Sequence, residues 1–207
     1  IFVLYIYMNI GIICYPTFGG SGVVATELGK ALAAQNHNIH FISYDQPVRL
    51  DVFTENLFYH EVSFNNYPLF KYAPYEIALT SKIVDIVKVH KIEVLHVHYA
   101  IPHAAAAATA KHILAREGIK IKIVTTLHGT DITLVGKDKS YEPVVTYSLQ
   151  ESDVVTAVSE SLKKDTYSFF NYTGEIHVVP NFIDFQRFNK QPKDHFKKGI
   201  APNSERI

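Results

Sequence analysis

The feature that most constrains the fold of this 207-residue chain is a repeated alternation of short apolar runs with longer stretches of helical spacing. The runs are almost continuous in Ile, Val and Leu, which is typical of parallel strands buried on both faces. The predicted strands are residues 9–15, 39–43, 94–98, 121–127, 154–158 and 176–179, with 57–62 as a further strand or hairpin arm. The predicted helices are residues 22–35, 75–90, 102–117, 143–151 and 160–170, the last with Ser159 as its N-cap.

This order of elements predicts an α/β fold, a doubly wound, Rossmann-like parallel sheet covered by helices on both faces. Right-handed crossovers place the carboxyl ends of all strands, and the loops that follow them, at one edge of the sheet. We therefore expect the functional residues in those loops. We assign residues 1–185 to this domain and residues 186–207, which contain six basic and two acidic residues, to the start of a linker.

Composition excludes several classes of protein. The chain carries 20 basic and 20 acidic residues, so its net charge does not favour nucleic acid or an anionic membrane surface. The apolar run at residues 1–7 has no basic residues before it and is interrupted by Asn9 and Gly11, so no targeting segment or membrane span is predicted. A single cysteine, Cys14, excludes an internal disulfide and fits a cytoplasmic protein.

The loop after the first strand is rich in glycine and opens directly into a helix. Gly19, Gly20 and Gly22 would let backbone N–H groups approach a ligand, and a helix N-terminus favours a phosphate. Two other interpretations are a structural turn and a dinucleotide fingerprint, because residues 20–25 match G-x-G-x-x-A and Asp45 follows the second strand. The dinucleotide fingerprint is disfavoured, because in known fingerprints the first glycine directly follows the strand, whereas four residues lie between them here.

Histidines cluster at the ends of two later strands. His96 and His98 alternate onto the same face of their strand, Tyr99 follows them, and His103 and His128 lie in nearby segments. Zinc or iron is one interpretation, but no carboxylate cluster or second cysteine accompanies the histidines. The sequence therefore favours buried, hydrogen-bonded histidines and no metal.

The segment after the fifth strong strand combines an imidazole, a hydroxyl and a carboxylate. His128, Gly129, Thr130 and Asp131 follow a buried strand, at the edge where a ligand can reach them. Such groups can bind sugar hydroxyls and stabilise charge at a reacting centre. For Asp131, a cap of the local turn and a direct role are equally compatible with the sequence.

Four segments together resemble family 4 glycosyltransferases of the two-domain GT-B type, in particular those that act on L-malate. They are residues 14–29, 96–104, 125–133 and 178–184, and they occur in the same order along nearly the whole chain. The resemblance implies that N-acetylglucosamine passes from UDP-N-acetylglucosamine to the hydroxyl of L-malate in bacillithiol biosynthesis, with retention and without metal or other cofactor. It also implies a second domain that binds most of the nucleotide, so the 207 residues alone are expected to be inactive.

The same resemblance assigns roles to seven residues. It places Gly19, Gly20 and Gly22 at the donor diphosphate, Ser21 and Tyr99 at the acceptor with Thr130 as a weaker candidate, and His128, the expected catalytic residue, against the transferred sugar. Three alternatives remain open: a family 4 enzyme with another acceptor, an NAD(P)-dependent oxidoreductase, and a nucleotide- or sugar-binding module without activity. A homodimer is compatible with the sequence.

Overall fold

The computed structural model describes residues 7–51, 54–64, 68–135, 138–185 and 188. Within them the chain forms one all-parallel sheet of seven strands in the order β3-β2-β1-β4-β5-β6-β7. The strands are β1 (Asn9–Ile13), β2 (Asn38–Ser43), β3 (Leu57–Glu61), β4 (Val94–His98), β5 (Lys122–Leu127), β6 (Val154–Ala157) and β7 (Ile176–Val178). The predicted doubly wound sheet is confirmed.

Five helices cover the sheet: α1 (Ser21–Ala33), α2 (Tyr75–His90), α3 (Ala105–Arg116), α4 (Glu142–Glu151) and α5 (Glu160–Phe169). Their buried faces form apolar clusters with the strands; Ile12, Leu79, Leu95 and Leu127, for example, are all fully buried. The predicted N-cap of α5 is confirmed, since the backbone N–H of Leu162 donates to Ser159 Oγ at 3.2 Å.

Several predicted boundaries differ from the structure. Residues 57–61 form a strand parallel to β2, so the hairpin-arm interpretation is wrong. A turn, Ala100–Ala104, precedes α3; Ile101 within it has an extended backbone (φ −131, ψ 142), and the predicted helix 102–117 therefore begins later than expected. Strand β1 ends at Ile13, so Cys14 lies just beyond it rather than inside it. The Cys14 side chain is fully buried, and this burial raises the pKa of its thiol to about 12.

Two further predictions concern the linker at the end of the chain and the absence of a membrane span. Residues 1–6, and most of the linker predicted at 186–207, lie outside the described residues. Among the helices that are described, none combines the length and the apolar character needed to span a bilayer.

Candidate functional site

The strand order creates a crevice at the carboxyl edge of the sheet. Strand β1 lies between β2 and β4, and the connections from these strands lead away in opposite directions. Such a switch point is where ligands bind in open α/β sheets. The loop after β1 and the loop after β4 meet there, with the rings of Tyr15 and Tyr99 5.3 Å apart. The structure thus brings the predicted glycine loop next to Tyr99.

Two of the three predicted glycines leave the loop backbone open. A Cβ atom added at Gly19 or at Gly20 would meet no described atom within 4 Å, and Gly20 has φ +55, which favours glycine. Gly22 is different, because its Cβ would lie 2.5 Å from the carbonyl oxygen of Tyr15. Gly22 is also buried. Its absent side chain therefore lets the loop pack on itself, which agrees with the structural-turn interpretation at this one glycine.

Helix α1 begins at the glycine loop and presents its amino end to the crevice. No side chain caps this end, and its first turn contains no acidic residue, in a helix that is described throughout. The free N–H groups of a first turn carry partial positive charge and favour an anion. Ser21, the first residue of α1, is 5% exposed. The predicted anion-binding geometry of this loop is therefore available.

Tyr99 connects the loop after β4 with the loop after β5. It has φ +89, a strained conformation for a residue with a side chain, and its N–H donates to the carbonyl of Thr126 at 3.0 Å. The Thr130 hydroxyl donates to the Tyr99 hydroxyl at 3.0 Å. The Tyr99 ring lies 5.5 Å from that of His128. Tyr99 thus contacts two of the other predicted site residues, Thr130 and His128.

A stack of three histidines lies beside Tyr99. The ring centroids of His96 and His98 are 4.8 Å apart, those of His98 and His128 are 5.0 Å apart, and His98 Nδ1 and His128 Nε2 share a hydrogen bond at 2.8 Å. His96 Nε2 bonds Thr126 Oγ1 at 2.8 Å. His98 is buried and the other two are half-buried. The prediction of hydrogen-bonded histidines is confirmed for this stack.

The environment of the stack sets the protonation of His128. Burial, together with repulsion from His96, lowers the pKa of His128 to about 4, so its ring is neutral at physiological pH. His98 Nε2 is buried and has no hydrogen-bond partner among the described residues. A proton on that atom would be an unsatisfied buried donor, which favours the proton on His98 Nδ1. His98 Nδ1 then donates to His128 Nε2, which leaves the proton of His128 on Nδ1.

Asp131 links the loop after β4 to the loop after β5 through backbone hydrogen bonds. Its Oδ1 accepts the backbone N–H groups of Gly129 at 2.9 Å and His128 at 3.3 Å, and its Oδ2 accepts that of Ala100 at 3.1 Å. The side chain is 1% exposed, and this burial raises the pKa of the carboxyl, while the three donors favour the carboxylate. Of the two roles left open by the sequence, the structure supports the structural one.

The sequence prediction missed a group of packed rings on one side of the crevice, formed by Tyr15, Tyr44, Tyr75 and His103. His103 Nδ1 donates to the His98 carbonyl at 2.7 Å, and its Nε2 accepts from the Tyr75 hydroxyl at 3.4 Å. The Tyr15 ring packs on His103 at 4.4 Å and on Tyr44 at 6.4 Å. Tyr75 is the first residue of α2, and Tyr44 directly follows β2. Both positions belong to the predicted carboxyl edge of the sheet, so these two residues could have been identified from the sequence.

Two other features lie apart from this site. Asp45, the candidate ribose-binding acid, is exposed and accepts the N–H of its neighbour Gln46 at 2.7 Å.

An open cavity of about 420 Å³ lies at the opposite edge of the sheet, before β6 and β7, and is lined in part by Asp153. Lys111 and Lys122 pair with Asp153 at 2.9 and 2.7 Å, and these contacts lower the pKa of its carboxyl to about 2 against the opposing effect of burial.

Residues 18–187 match the model of Glycosyltransferase Family 4, so the chain belongs to this family. The match spans the glycine loop, the histidine stack and the loop of Asp131. The NAD(P)-dependent oxidoreductase is therefore not favoured.

Among curated proteins, the chain is similar to N-acetyl-alpha-D-glucosaminyl L-malate synthase of Bacillus anthracis, with 48% identity over 202 residues. The alignment covers 97% of this chain and 52% of that protein, so the chain spans about half the length of this relative.

Solved structures share the fold at low sequence identity. HepE of Anabaena in complex with UDP-glucose superposes with a TM-score of 0.69 at 16% identity, over 93% of this chain and 50% of that one. Sucrose-phosphate synthase of Thermosynechococcus elongatus gives a TM-score of 0.67 at 13% identity, over 95% and 53%. These likenesses, each over about half of the other chain, confirm the predicted fold, one Rossmann-like half of the GT-B type.

Proposed function

We propose that the full-length protein transfers N-acetylglucosamine from UDP-N-acetylglucosamine to the hydroxyl of L-malate, with retention at the anomeric carbon. The observation that carries this proposal is the 48% identity to the malate synthase of Bacillus anthracis over 97% of this chain. The alignment covers 202 of the 207 residues.

The geometry of the carboxyl edge supports two anionic ligands. The open backbone at Gly19 and Gly20 and the uncapped start of α1 supply N–H donors, which suit a diphosphate. L-malate carries two carboxylates, for which the Ser21 hydroxyl and the paired hydroxyls of Tyr99 and Thr130 are suitable partners. We assign the donor to the first group and the acceptor to the second.

His128 is the residue that we place against the transferred sugar. A neutral imidazole with its proton on Nδ1 can donate to a sugar hydroxyl without adding a charge. The hydrogen bond from His98 fixes the other ring nitrogen and so orients this donor. A pKa of about 4 keeps the ring neutral at physiological pH, which suits a hydrogen-bond donor that positions the sugar.

In a retaining reaction without a protein nucleophile, catalysis depends on positioning of the two substrates and on stabilisation of the leaving group. The bond between the anomeric carbon and the diphosphate breaks with its electron pair on UDP, and the malate hydroxyl oxygen forms the new bond on the same face. The hydroxyl proton passes to the leaving diphosphate. Asp131 is engaged by three backbone N–H groups and is not available as a nucleophile. Preorganised donors at the loop lower the barrier for such a reaction.

We further propose that a second domain completes the site. Residues 1–185 would form the acceptor domain, and residues 186–207 would begin the connection to a donor domain. Large apolar side chains are exposed on loops at the carboxyl edge, including Phe18 at 88% and Leu134 at 69%. Such side chains suit contact with another domain or a ligand. The 207 residues alone are then expected to be inactive.

The test is malate-dependent release of UDP from UDP-N-acetylglucosamine by the full-length protein. The proposal predicts release with L-malate and an α-linked product by NMR. Release with another acceptor but not with malate would refute the acceptor and leave the family assignment intact. Turnover by the 207-residue chain alone would refute the role of a second domain.

Replacement of Ser21 tests the division of the site. Ser21→Ala in the full-length protein should raise the KM for malate more than the KM for the donor, because the acceptor loses a hydroxyl partner. Thr17→Ala is a matched control, since the Thr17 hydroxyl donates to the Gly19 carbonyl within its own loop at 3.2 Å. Equal effects of Ser21→Ala on both KM values would count against the acceptor assignment.

A further inference from the structure

A second histidine cluster lies away from the candidate active site. It consists of His40 in β2, His60 in β3 and His90 in the last turn of α2. Helix α2 runs antiparallel to the strands, so its last turn lies towards the amino edge, opposite the glycine loop. This cluster takes no part in the proposed transfer reaction.

The three imidazoles converge on one point. Each offers a ring nitrogen, and these nitrogens all lie within 4.8 Å of one another. His40 Nδ1 and His60 Nε2 are 2.9 Å apart, and the ring of His90 packs on His40 at 4.5 Å and on His60 at 4.9 Å between centroids. The pairing of β2 with β3 explains this arrangement, because Ile42 lies opposite His60 and His40 opposite Phe58, which turns both histidines to the same face.

The surroundings hold the cluster in place and favour neutral rings at His40 and His60. The Phe58 ring stacks on His40 at 4.7 Å, and His40 is 4% exposed while the other two are half-buried. Burial, with repulsion from His90, lowers the pKa of both His40 and His60 to about 4; His60 adds to the shift of His40, and Lys82 to that of His60. Neutral imidazoles keep the lone pairs that bind metals.

We propose that His40, His60 and His90 form a binding site for a divalent transition metal, with Zn²⁺ as the reference ion. Three imidazoles with a fourth position open to water are an established zinc coordination. Bonds of about 2.0–2.1 Å at tetrahedral angles require nitrogens about 3.3 Å apart. The pair at 2.9 Å therefore opens slightly, and the half-buried His90 ring moves inward.

Such a site would tie three separate elements together. Strand β3 lies at the end of the described sheet and contributes His60, while β2 and α2 contribute the other ligands. A metal that binds only the folded chain stabilises it in proportion to the logarithm of its concentration. The metal would thus fasten β3 to the rest of the domain. Without a metal, His40 and His60 share a hydrogen bond, and the His90 ring packs at an angle against both.

The experiment is calorimetric titration of the untagged full-length protein with ZnCl₂ at pH 7.5. The proposal predicts one equivalent bound at this cluster and at least a tenfold loss of affinity in His60→Gln and in His90→Gln, since even the loss of a partner behind a ligand costs about 10–100-fold. Circular dichroism establishes that each variant is folded. If one variant does not fold, the other provides the test.

Two control variants separate this cluster from other histidines. His112→Gln removes a largely exposed histidine, and His128→Gln removes one from the carboxyl edge; both should bind Zn²⁺ as the parent does. Substitution of Co²⁺ should give the visible absorption of a four-coordinate site, lost in His90→Gln. Absence of Zn²⁺ binding, equal binding in the two ligand variants and the parent, or loss of binding in His128→Gln would each overturn the proposal.

Discussion

Acidification should destabilise this chain through histidines that are buried in the neutral form, and His103 gives the clearest case. Its side chain is fully buried, and burial lowers its pKa to about 4, although the hydrogen bond to the His98 carbonyl opposes the shift. The unfolded chain has the ordinary value of 6.5. Between pH 6.5 and pH 4 the unfolded chain therefore binds more protons than the folded chain, and stability falls as the pH falls.

The size of the effect follows from the two pKa values. Above pH 6.5 the contribution of His103 is fully present. At pH 5, which is 1.5 units below the unfolded value, the loss from this one group is about 2 kcal/mol, at 1.36 kcal/mol per unit. That is a large fraction of the roughly 5–15 kcal/mol that stabilises a typical domain. The other lowered histidines act in the same direction.

The assay is urea unfolding of the 207-residue chain at pH 7 and pH 5, followed by circular dichroism. His103→Gln should lose about 2 kcal/mol less than the parent between the two pH values, because its side chain does not titrate. His112→Gln controls for the general removal of one histidine. Equal losses of the free energy of unfolding in His103→Gln and in the parent on acidification would show that His103 is not the titrating group.

Three further predictions concern substitutions measured by the same unfolding assay at pH 7. Gly22→Ala should lower the free energy of unfolding by about 1–3 kcal/mol, because its Cβ meets loop backbone at 2.5 Å. Gly19→Ala should change it by less than about 0.5 kcal/mol; equal effects would contradict the assignment of the two glycines. Asp131→Asn should cost about 1–3 kcal/mol, because an amide cannot accept all three backbone N–H groups, and an unchanged value would count against the loop-joining role. Ser159→Ala should cost about 1 kcal/mol through the lost cap of α5, and no change would contradict it.

The sheet and most helices could be predicted because their signals are local. Strand β4 and helix α2 have the predicted bounds, since continuous Ile and Val runs and regular helical spacing need no knowledge of the rest of the chain. The edge that carries the site could be predicted for the same reason. Strand order along a doubly wound sheet fixes where the loops meet.

The details of the site depend on contacts between distant residues. The turn Ala100–Ala104 was predicted as ordinary helix or loop, and Asp131 as either cap or ligand contact. One hydrogen bond, from the Ala100 N–H to Asp131, joins these two segments across 31 residues. No local pattern reports such a contact. The cluster of His40, His60 and His90 was missed for the same reason, because its members come from three different elements.

The most direct measurement of the central claim is a crystal structure of the full-length protein with UDP and L-malate. We expect the diphosphate at the backbone of Gly19 and Gly20 and the start of α1, and malate within hydrogen-bond distance of Ser21 and Tyr99. Binding of both ligands elsewhere, or a crevice between the loops after β1 and β4 that the protein's own side chains fill, would rule out this assignment.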